Sequence, residues 1–408
     1  MKPFIIPLDR IGFQEARLPL LDRLIRRGLE SSLSGLHSGQ INLVDGDRSV
    51  QFGRSTSDFP VHCVVRVHDS GFYANLAFGG SIGAAESYMM GQWSTDDLTG
   101  LIRMMVRNRD VLDGMESGVA RISAPFRRVF HRIRRNNRSG SRKNILAHYD
   151  LGNDFYSLFL DESMTYSCGV FPNESSSLYE ASIAKIDHLC RKLDLHPSDH
   201  LLEIGTGWGA LSIHAARNYG CRVTTATISD EQFNLAEKRI AEAGLSEKIT
   251  VIFQDYRDIE GQFDKLVSVE MIEAVGDEYL DDYFAACNRL LKPEGLLVIQ
   301  AIVMNDQHYD KFRRGVDFIQ RYIFPGSCLP SMKRMLEATS RATDMRLTHM
   351  EDITPHYPRT LRVWRERFFE RIEEVRALGF SDAFIRMWEF YLCYCEGGFL
   401  ERYIGDVQ

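Results

Sequence analysis

No apolar run in this chain approaches the roughly 20 residues needed to span a bilayer, so any membrane contact is expected to be peripheral. Cysteine is sparse. The eight, at 63, 168, 190, 221, 287, 328, 393 and 395, show no pair at metal-ligand spacing, which excludes a structural zinc module. No signal peptide is evident, and the expected compartment is therefore cytoplasmic with reduced thiols. Basic excess is also missing. With 49 Lys and Arg against 56 Asp and Glu the net charge is −7, and a nucleic-acid binder by composition is excluded. What remains is the make-up of an ordinary soluble globular protein, 44% apolar and 26% charged, over 408 residues, a length that predicts two domains.

The stretch around which the chain is organised is Leu201-Leu-Glu-Ile-Gly-Thr-Gly-Trp-Gly-Ala210. An apolar run ends on Glu203, passes Gly205, Gly207 and Gly209, and opens into Leu211–Arg217, which predicts a strand, a tight turn and a helix start. A dinucleotide fingerprint would read G-x-G-x-x-G with its acid about 20 residues downstream. Here the spacing is G-x-G-x-G and the acid, Glu203, precedes it, placed for a ligand's amino group. The pattern resembles motif I of Rossmann-like methyltransferases that bind S-adenosylmethionine, although glycine-rich turns occur in many α/β proteins.

Residues 1–125 read as an accessory α+β domain. Leu18, Leu21, Leu24, Ile25 and Leu29 fit one helical face. A hairpin is predicted about Asp45-Gly46-Asp47, strands over Val61–Val67 and Phe72–Phe78, and a helix over Leu98–Val106. Residues 126–145 form a basic linker, with eight Arg or Lys and no acid between 127 and 143. Such a run is either solvated or attracted to anionic lipid, at roughly 1 kcal/mol per basic residue. Phe126, Val129, Phe130 and Ile133 on one helical side favour the membrane surface. No aromatic stacking platform accompanies the charge, which argues against RNA.

From residue 146 to 408 strands and helices alternate. Helices are expected at Leu178–Leu193, Asp230–Ala243 and Tyr279–Leu291. Strands are expected at Arg222–Ile228, Ile249–Phe253, Asp264–Val269 and Leu296–Val303. The predicted fold is α/β: a Rossmann-like, doubly wound, mostly parallel sheet with a helical insertion over about 305–345. In the tail, Phe384, Met387, Trp388, Tyr391, Leu392 and Cys395 share a face behind a Ser381 N-cap, either as core or as an acyl-chain channel, with core favoured. The cofactor of such a sheet lies at its C-terminal edge. There the Thr227 backbone and the Gln232 amide stand where a ribose-binding acid is missing, and Asp255 and Tyr256 are placed to frame an adenine. Glu270 and Glu273 end the fourth strand.

Six segments occur in order: His148-Tyr-Asp-Leu-Gly-Asn-Asp-Phe-Tyr156, Thr165-Tyr-Ser-Cys-Gly-Val-Phe171, Leu202–Gly209, Thr227–Gln232, Gln254–Asp258 and Tyr322–Pro330. Together they resemble cyclopropane-fatty-acyl-phospholipid synthases, and Gly83–Trp93 extends the likeness toward the N-terminus. The resemblance implies methyl transfer from S-adenosylmethionine to the double bond of a phospholipid acyl chain, with Tyr166, Ser167 and Trp208 among the residues about the cofactor. Aromatic faces suit a sulfonium and a carbocation. It also implies a bound bicarbonate as base, held by Cys168, Glu273 and Tyr357, and a homodimer through the N-terminal domain. By spacing alone Cys168 would be an inert buried thiol.

Two positions depart from the family's pattern. Gln300 stands where an imidazole belongs, in Val298-Ile-Gln-Ala-Ile302, and Glu270 replaces a glycine. Glutamine bonds an anion but carries no proton at neutral pH, and a second carboxylate repels bicarbonate unless it is protonated or turned away. Glu270 or Glu273 is thus expected to act as the base, with or without bicarbonate. The product is a cyclopropane, or a methyl-branched or methylene acid by the same first step. A small-molecule N- or C-methyltransferase and a non-enzymatic lipid-binding protein are the competing readings.

Overall fold

The expected hairpin forms. In the computed structural model, which describes residues 19–111 and 151–408, helix α1 (Pro19–Leu33) precedes β1 (Gly39–Asp45) and β2 (Arg48–Arg54). The two strands pair antiparallel down to Asp45 opposite Arg48, with Gly46 at φ +58 in the turn. Strand β3 (His62–Val67) lies parallel to β1, and β4 (Trp93–Thr95) completes the order β2-β1-β3-β4. The basic segment 127–143, the apolar positions beside it and the start of the His148 motif lie outside the described residues.

Phe72–Phe78 is not a strand. It lies within α2 (Gly71–Met89). The Asp69 carboxylate accepts the Gly71 N–H at 2.6 Å and turns the chain into a helix, and the stretch holds aromatics but no β-branched residue to favour extension. Gly80, at φ +59 and ψ −139, kinks α2. Beyond the kink, Gly83 sits so close to the Asn75 carbonyl that a Cβ would be 1.9 Å from its oxygen, so only glycine fits there.

The described residues divide into two compact units. The first takes 19–111 together with 316–323 and 375–403, two segments expected within the C-terminal domain. In it α3 (Leu98–Arg107) starts on Asp97, which accepts the Gly100 N–H. The helix Asp382–Leu400 packs on α2 and α3, capped as expected by Ser381. Phe384, Trp388, Tyr391 and Leu392 are buried in this unit, while Met387 and Cys395 are half-buried. From 316–323, Tyr322 donates to Glu86 at 2.5 Å and Arg321 pairs with the same carboxylate at 3.0 Å.

The second unit comprises 151–315, 324–374 and 404–408. Its sheet runs β10-β9-β8-β5-β6-β7, parallel except for the edge strand β10. The strands are β5 (His200–Ile204), β6 (Arg222–Thr227), β7 (Ile249–Phe253), β8 (Phe263–Val269), β9 (Leu291–Met304) and β10 (Ile404–Val407). The helices that matter here are α4 (Leu178–Lys192), α5 (Ala210–His214), α6 (Asp230–Glu242), α7 (Leu280–Leu290), α8 (Met332–Ala342) and α9 (Tyr357–Glu370). Neighbouring residues feed opposite faces: Leu202 and Leu266 pack with Leu280, Phe284 and Leu290 of α7, Leu201 and Val267 with Ile186 and Leu189 of α4. Burial on both faces explains why these strands read as unbroken apolar runs. The chain enters at β5, moves out to β7, and returns on the other side of β5 as β8. The loops after β5 and β8 therefore part at the point where a doubly wound sheet holds its ligand. Among the described residues no helix is long and apolar enough to cross a membrane.

Candidate active site

The turn after β5 has the backbone its glycines require. Gly205, Gly207 and Gly209 sit at φ +99, +52 and +84, and Gly209 is the N-cap of α5. A Cβ on Gly207 would meet nothing within 4 Å, whereas one on Gly205 or Gly209 would touch Met271 or Ala236. Gly207 thus borders open space at the switch point, as a cofactor cradle demands. Glu203 is buried beneath the turn. Ser212 and Thr225 donate to its carboxylate, and burial raises its pKa to about 7 against those bonds.

Tyr156 sits between two of the predicted cofactor-side aromatics, with ring centroids 5.3 Å from Tyr166 and 5.2 Å from Trp208. The Trp208 indole donates to Asn153 at 2.6 Å. Ser167 is buried and accepts from the Lys185 ammonium at 2.8 Å. After β6 the Thr227 hydroxyl donates to Gln232 at 2.9 Å, and the Thr227 carbonyl accepts the Gln254 N–H. The Asp255 carboxylate is taken by Arg257, at 2.8 and 2.5 Å, and Tyr256 packs edge-on against Tyr283.

Across the switch point, five predicted residues converge. Glu270 adopts left-handed backbone, φ +46, a conformation that costs a non-glycine residue about 1 kcal/mol or more. Its carboxylate compensates with three hydrogen bonds. One oxygen accepts the Cys168 N–H at 2.9 Å and the Gln300 amide at 2.8 Å; the other accepts the Tyr357 hydroxyl at 2.6 Å. Burial raises the Glu270 pKa and these donors oppose it. Cys168 brings its backbone N–H. Its thiol donates to the Gly169 carbonyl, and burial pushes its pKa well up. Glu273 lies in a single 3-10 turn below, one oxygen accepting the Ile302 N–H at 2.6 Å. Its other oxygen is buried with no partner among the described residues. The insertion reaches this turn, since the Cys328 N–H donates to the Glu273 carbonyl at 2.8 Å.

Two participants escaped the sequence. Asp406, on β10, is wholly buried and accepts from the Gln300 amide at 3.1 Å. The only local signal was a four-residue strand, Ile404–Val407, after a long helix. Lys185 is buried on α4, where it donates to Ser167 beside Cys168, and the expected helix over Leu178–Leu193 gave it no role. Gln300 is fully engaged: its nitrogen serves Glu270 and Asp406, and its oxygen accepts from Gln408 at 3.0 Å. Among the described residues no group of side chains forms a metal site.

The family model for mycolic acid cyclopropane synthetase matches residues 136–408. The chain belongs to this family of S-adenosylmethionine-dependent methyltransferases. It is 42% identical to the tuberculostearic acid methyltransferase UfaA1 of Mycobacterium tuberculosis over 337 residues, covering 81% of this chain and 78% of that protein. It is 37% identical to the cyclopropane-fatty-acyl-phospholipid synthase of Escherichia coli over 347 residues, covering 84% and 85%. Among solved structures, the cyclopropane synthase MmaA2 from Mycobacterium tuberculosis superposes with a TM-score of 0.61 at 32% identity, over 65% of this chain and 96% of that one. The family membership makes the protein an enzyme with a Rossmann-like methyltransferase fold, as the motifs implied.

Against the family pattern, the glycine-to-glutamate change at 270 places a carboxylate in the cluster, and Gln300 in place of histidine ties that carboxylate to Asp406. Burial, and then the charge of Glu270, raises the Glu273 pKa from the ordinary 4.5 to about 8. A carboxyl whose folded pKa lies above its unfolded one binds more protons when folded, so stability falls as pH rises between those values. We expect the melting temperature to decline from pH 5 to pH 8 and the decline to flatten in Glu273→Gln. Parallel melting curves for the two proteins would show that Glu273 is ionised throughout.

Proposed function

We propose that this enzyme transfers a methyl group to the cis double bond of an unsaturated acyl chain in membrane phospholipid, and that Glu270 removes the proton that ends the reaction. The observation that carries this reading is the seat of the Glu270 carboxylate. It is held by Cys168, Tyr357 and the residue at position 300, which are positions the family resemblance gives to a bicarbonate ion. The chain's own carboxylate stands where that resemblance would put a diffusible base. The relatives' names, a tuberculostearic acid methyltransferase and a cyclopropane-fatty-acyl-phospholipid synthase, point to acyl chains as the substrate class.

S-adenosylmethionine, when bound, supplies an electrophilic methyl. Gly205, Gly207 and Gly209 would hold it at the switch point, with Tyr166, Ser167, Trp208, Thr227, Gln232 and Tyr256 at its border. The alkene is a weak nucleophile, and the aromatic wall of Tyr156, Tyr166 and Trp208 serves to exclude water from it. The alkene π pair would form the new C–CH3 bond as the sulfonium S–CH3 bond breaks, its electron pair staying on the departing thioether sulfur, and a cation would remain on the adjacent chain carbon. Glu270 then takes a proton. If the proton comes from the new methyl, the freed C–H pair closes a cyclopropane. If it comes from a chain carbon, the pair forms an alkene and the product is methyl-branched.

Cyclopropanation is the first reading. The occupation of the anion seat by Glu270, together with the 42% identical tuberculostearic acid methyltransferase, favours methyl-branched or methylene acid as the second. Bicarbonate is not needed in either, and turnover is expected to be indifferent to its depletion. The basic segment 127–143 supports peripheral contact with an anionic membrane from the cytoplasmic side.

Expression in a host lacking modified fatty acids, followed by NMR of the lipid chains, tests the reading. Ring protons identify the cyclopropane, and vinyl or branch-methyl signals the alternative. Unmodified chains, with label from the cofactor appearing in soluble amines, would overturn it.

A further inference from the structure

The sharing of one amide nitrogen by two carboxyl groups has a consequence for proton inventory. Gln300 Nε2 stands 2.8 Å from Glu270 Oε1 and 3.1 Å from Asp406 Oδ2, so one nitrogen holds the two carboxyls side by side. Asp406 is fully buried and Glu270 half-buried. The remaining Asp406 oxygen, Oδ1, is buried and accepts from no donor among the described residues. An ionised carboxylate would leave that oxygen unsatisfied, at a cost of several kcal/mol, whereas a protonated one turns it into a donor. The groups facing the pair are Glu273 on the turn after β8, Lys185 on α4, Tyr357 on α9 and Cys168 before α4. Beyond Gln408, Lys192 and Glu351 pair at 2.6 Å. Lys185 is the cation that faces the pair among the described residues, and because Glu203 also draws on its charge it offsets no more than one carboxylate of the two.

We propose that Asp406 is a positioning residue that carries the proton of the Glu270–Asp406 pair at rest and donates it to Glu270, so that Glu270 is the ionised member. The C-terminal strand thereby sets the protonation state of the base. Gln300 holds the two carboxyls in register from between them, and Gln408 fixes the amide's orientation by occupying its oxygen. The proton taken from the substrate goes to Glu270; the Asp406 proton stays within the pair, and no further reactant is required. Ionisation of Asp406 at high pH would put a second negative charge beside Glu270 and raise its affinity for a proton.

The inference rests on Glu270 as the base, and its test separates the two. Infrared difference spectra of the full-length enzyme at neutral pH, wild type against Asp406→Asn, report the proton directly. Loss of a protonated-carboxyl band supports the proposal; loss of an ionised-carboxylate band overturns it, whatever the activity of either protein. In turnover, Asp406→Asn keeps a neutral donor and is expected to lose about threefold in kcat, against about thirtyfold for Asp406→Ala, the scale of one lost hydrogen bond to a charged group. In Asp406→Ala the acid limb of the pH–rate profile moves upward, while KM for S-adenosylmethionine stays within about twofold in both variants. Equal losses in the two variants with an unmoved acid limb would overturn the role of Asp406. An active Glu270→Gln would overturn Glu270 as the base and leave the infrared result standing.

Discussion

Glu270→Gln is expected to lower turnover by about 10²–10⁴-fold, the contribution of a positioned general base, while cofactor binding survives. Glutamine fits the seat. Its oxygen can accept from the Cys168 N–H and the Gln300 amide, and its nitrogen faces the Tyr357 hydroxyl, which can turn to accept. What is lost is the capacity to take a proton, and the cation then has no exit other than return to substrate or capture by water. Transfer of labelled methyl into liposome lipid measures the loss, and calorimetry with S-adenosylmethionine shows whether the fold and the cradle persist. An unchanged rate removes Glu270 from the mechanism. In the wild-type enzyme the rate should fall as the medium is acidified, because the base must be ionised. Burial raises the Glu270 pKa above the ordinary 4.5, so the fall should begin at a higher pH than for a solvated glutamate.

A comparable loss, but of binding, is expected from Gly207→Val. Because a Cβ there meets no protein atom within 4 Å, the added side chain projects into open space at the switch point. The left-handed φ of +52 adds strain of about 1–2 kcal/mol, so some fall in melting temperature is anticipated. The larger effect is on S-adenosylmethionine, whose affinity should drop by about two orders of magnitude, or about 3 kcal/mol. Calorimetric titration of the folded variant checks this, with circular dichroism to establish that it is folded. An unaltered affinity would mean that the cofactor lies elsewhere and that the glycines serve only the turn. Gly83→Ala is the contrasting case: a Cβ there collides with backbone, and the variant should lose stability without a specific effect on the cofactor.

Much of this enzyme is local. Glycines at 205, 207 and 209, apolar runs such as Leu201–Ile204 and Ile249–Phe253, caps at Ser177, Ser229 and Ser381 and the ordered motifs specify strands, helices and family through near neighbours in the chain. That is why the doubly wound sheet was legible from one sequence, with Glu270 and Glu273 at the end of its fourth strand, whereas Cys168, Gln300 and Tyr357 were singled out by the family resemblance. Phe72–Phe78 was misjudged because aromatic residues suit both periods, and an aspartate side chain two residues from Gly71 decided for the helix. Asp406 and Lys185 were illegible for a different reason. A carboxylate on the short strand β10 and a lysine within α4 carry no signal until β10 pairs with β9 and α4 covers the sheet. The sequence by itself determined which groups the enzyme possesses. Only tertiary structure decided that Glu270 and Asp406, 136 residues apart by number, share one amide, because hydrogen bonding and desolvation act through space, and distance along the chain does not enter them.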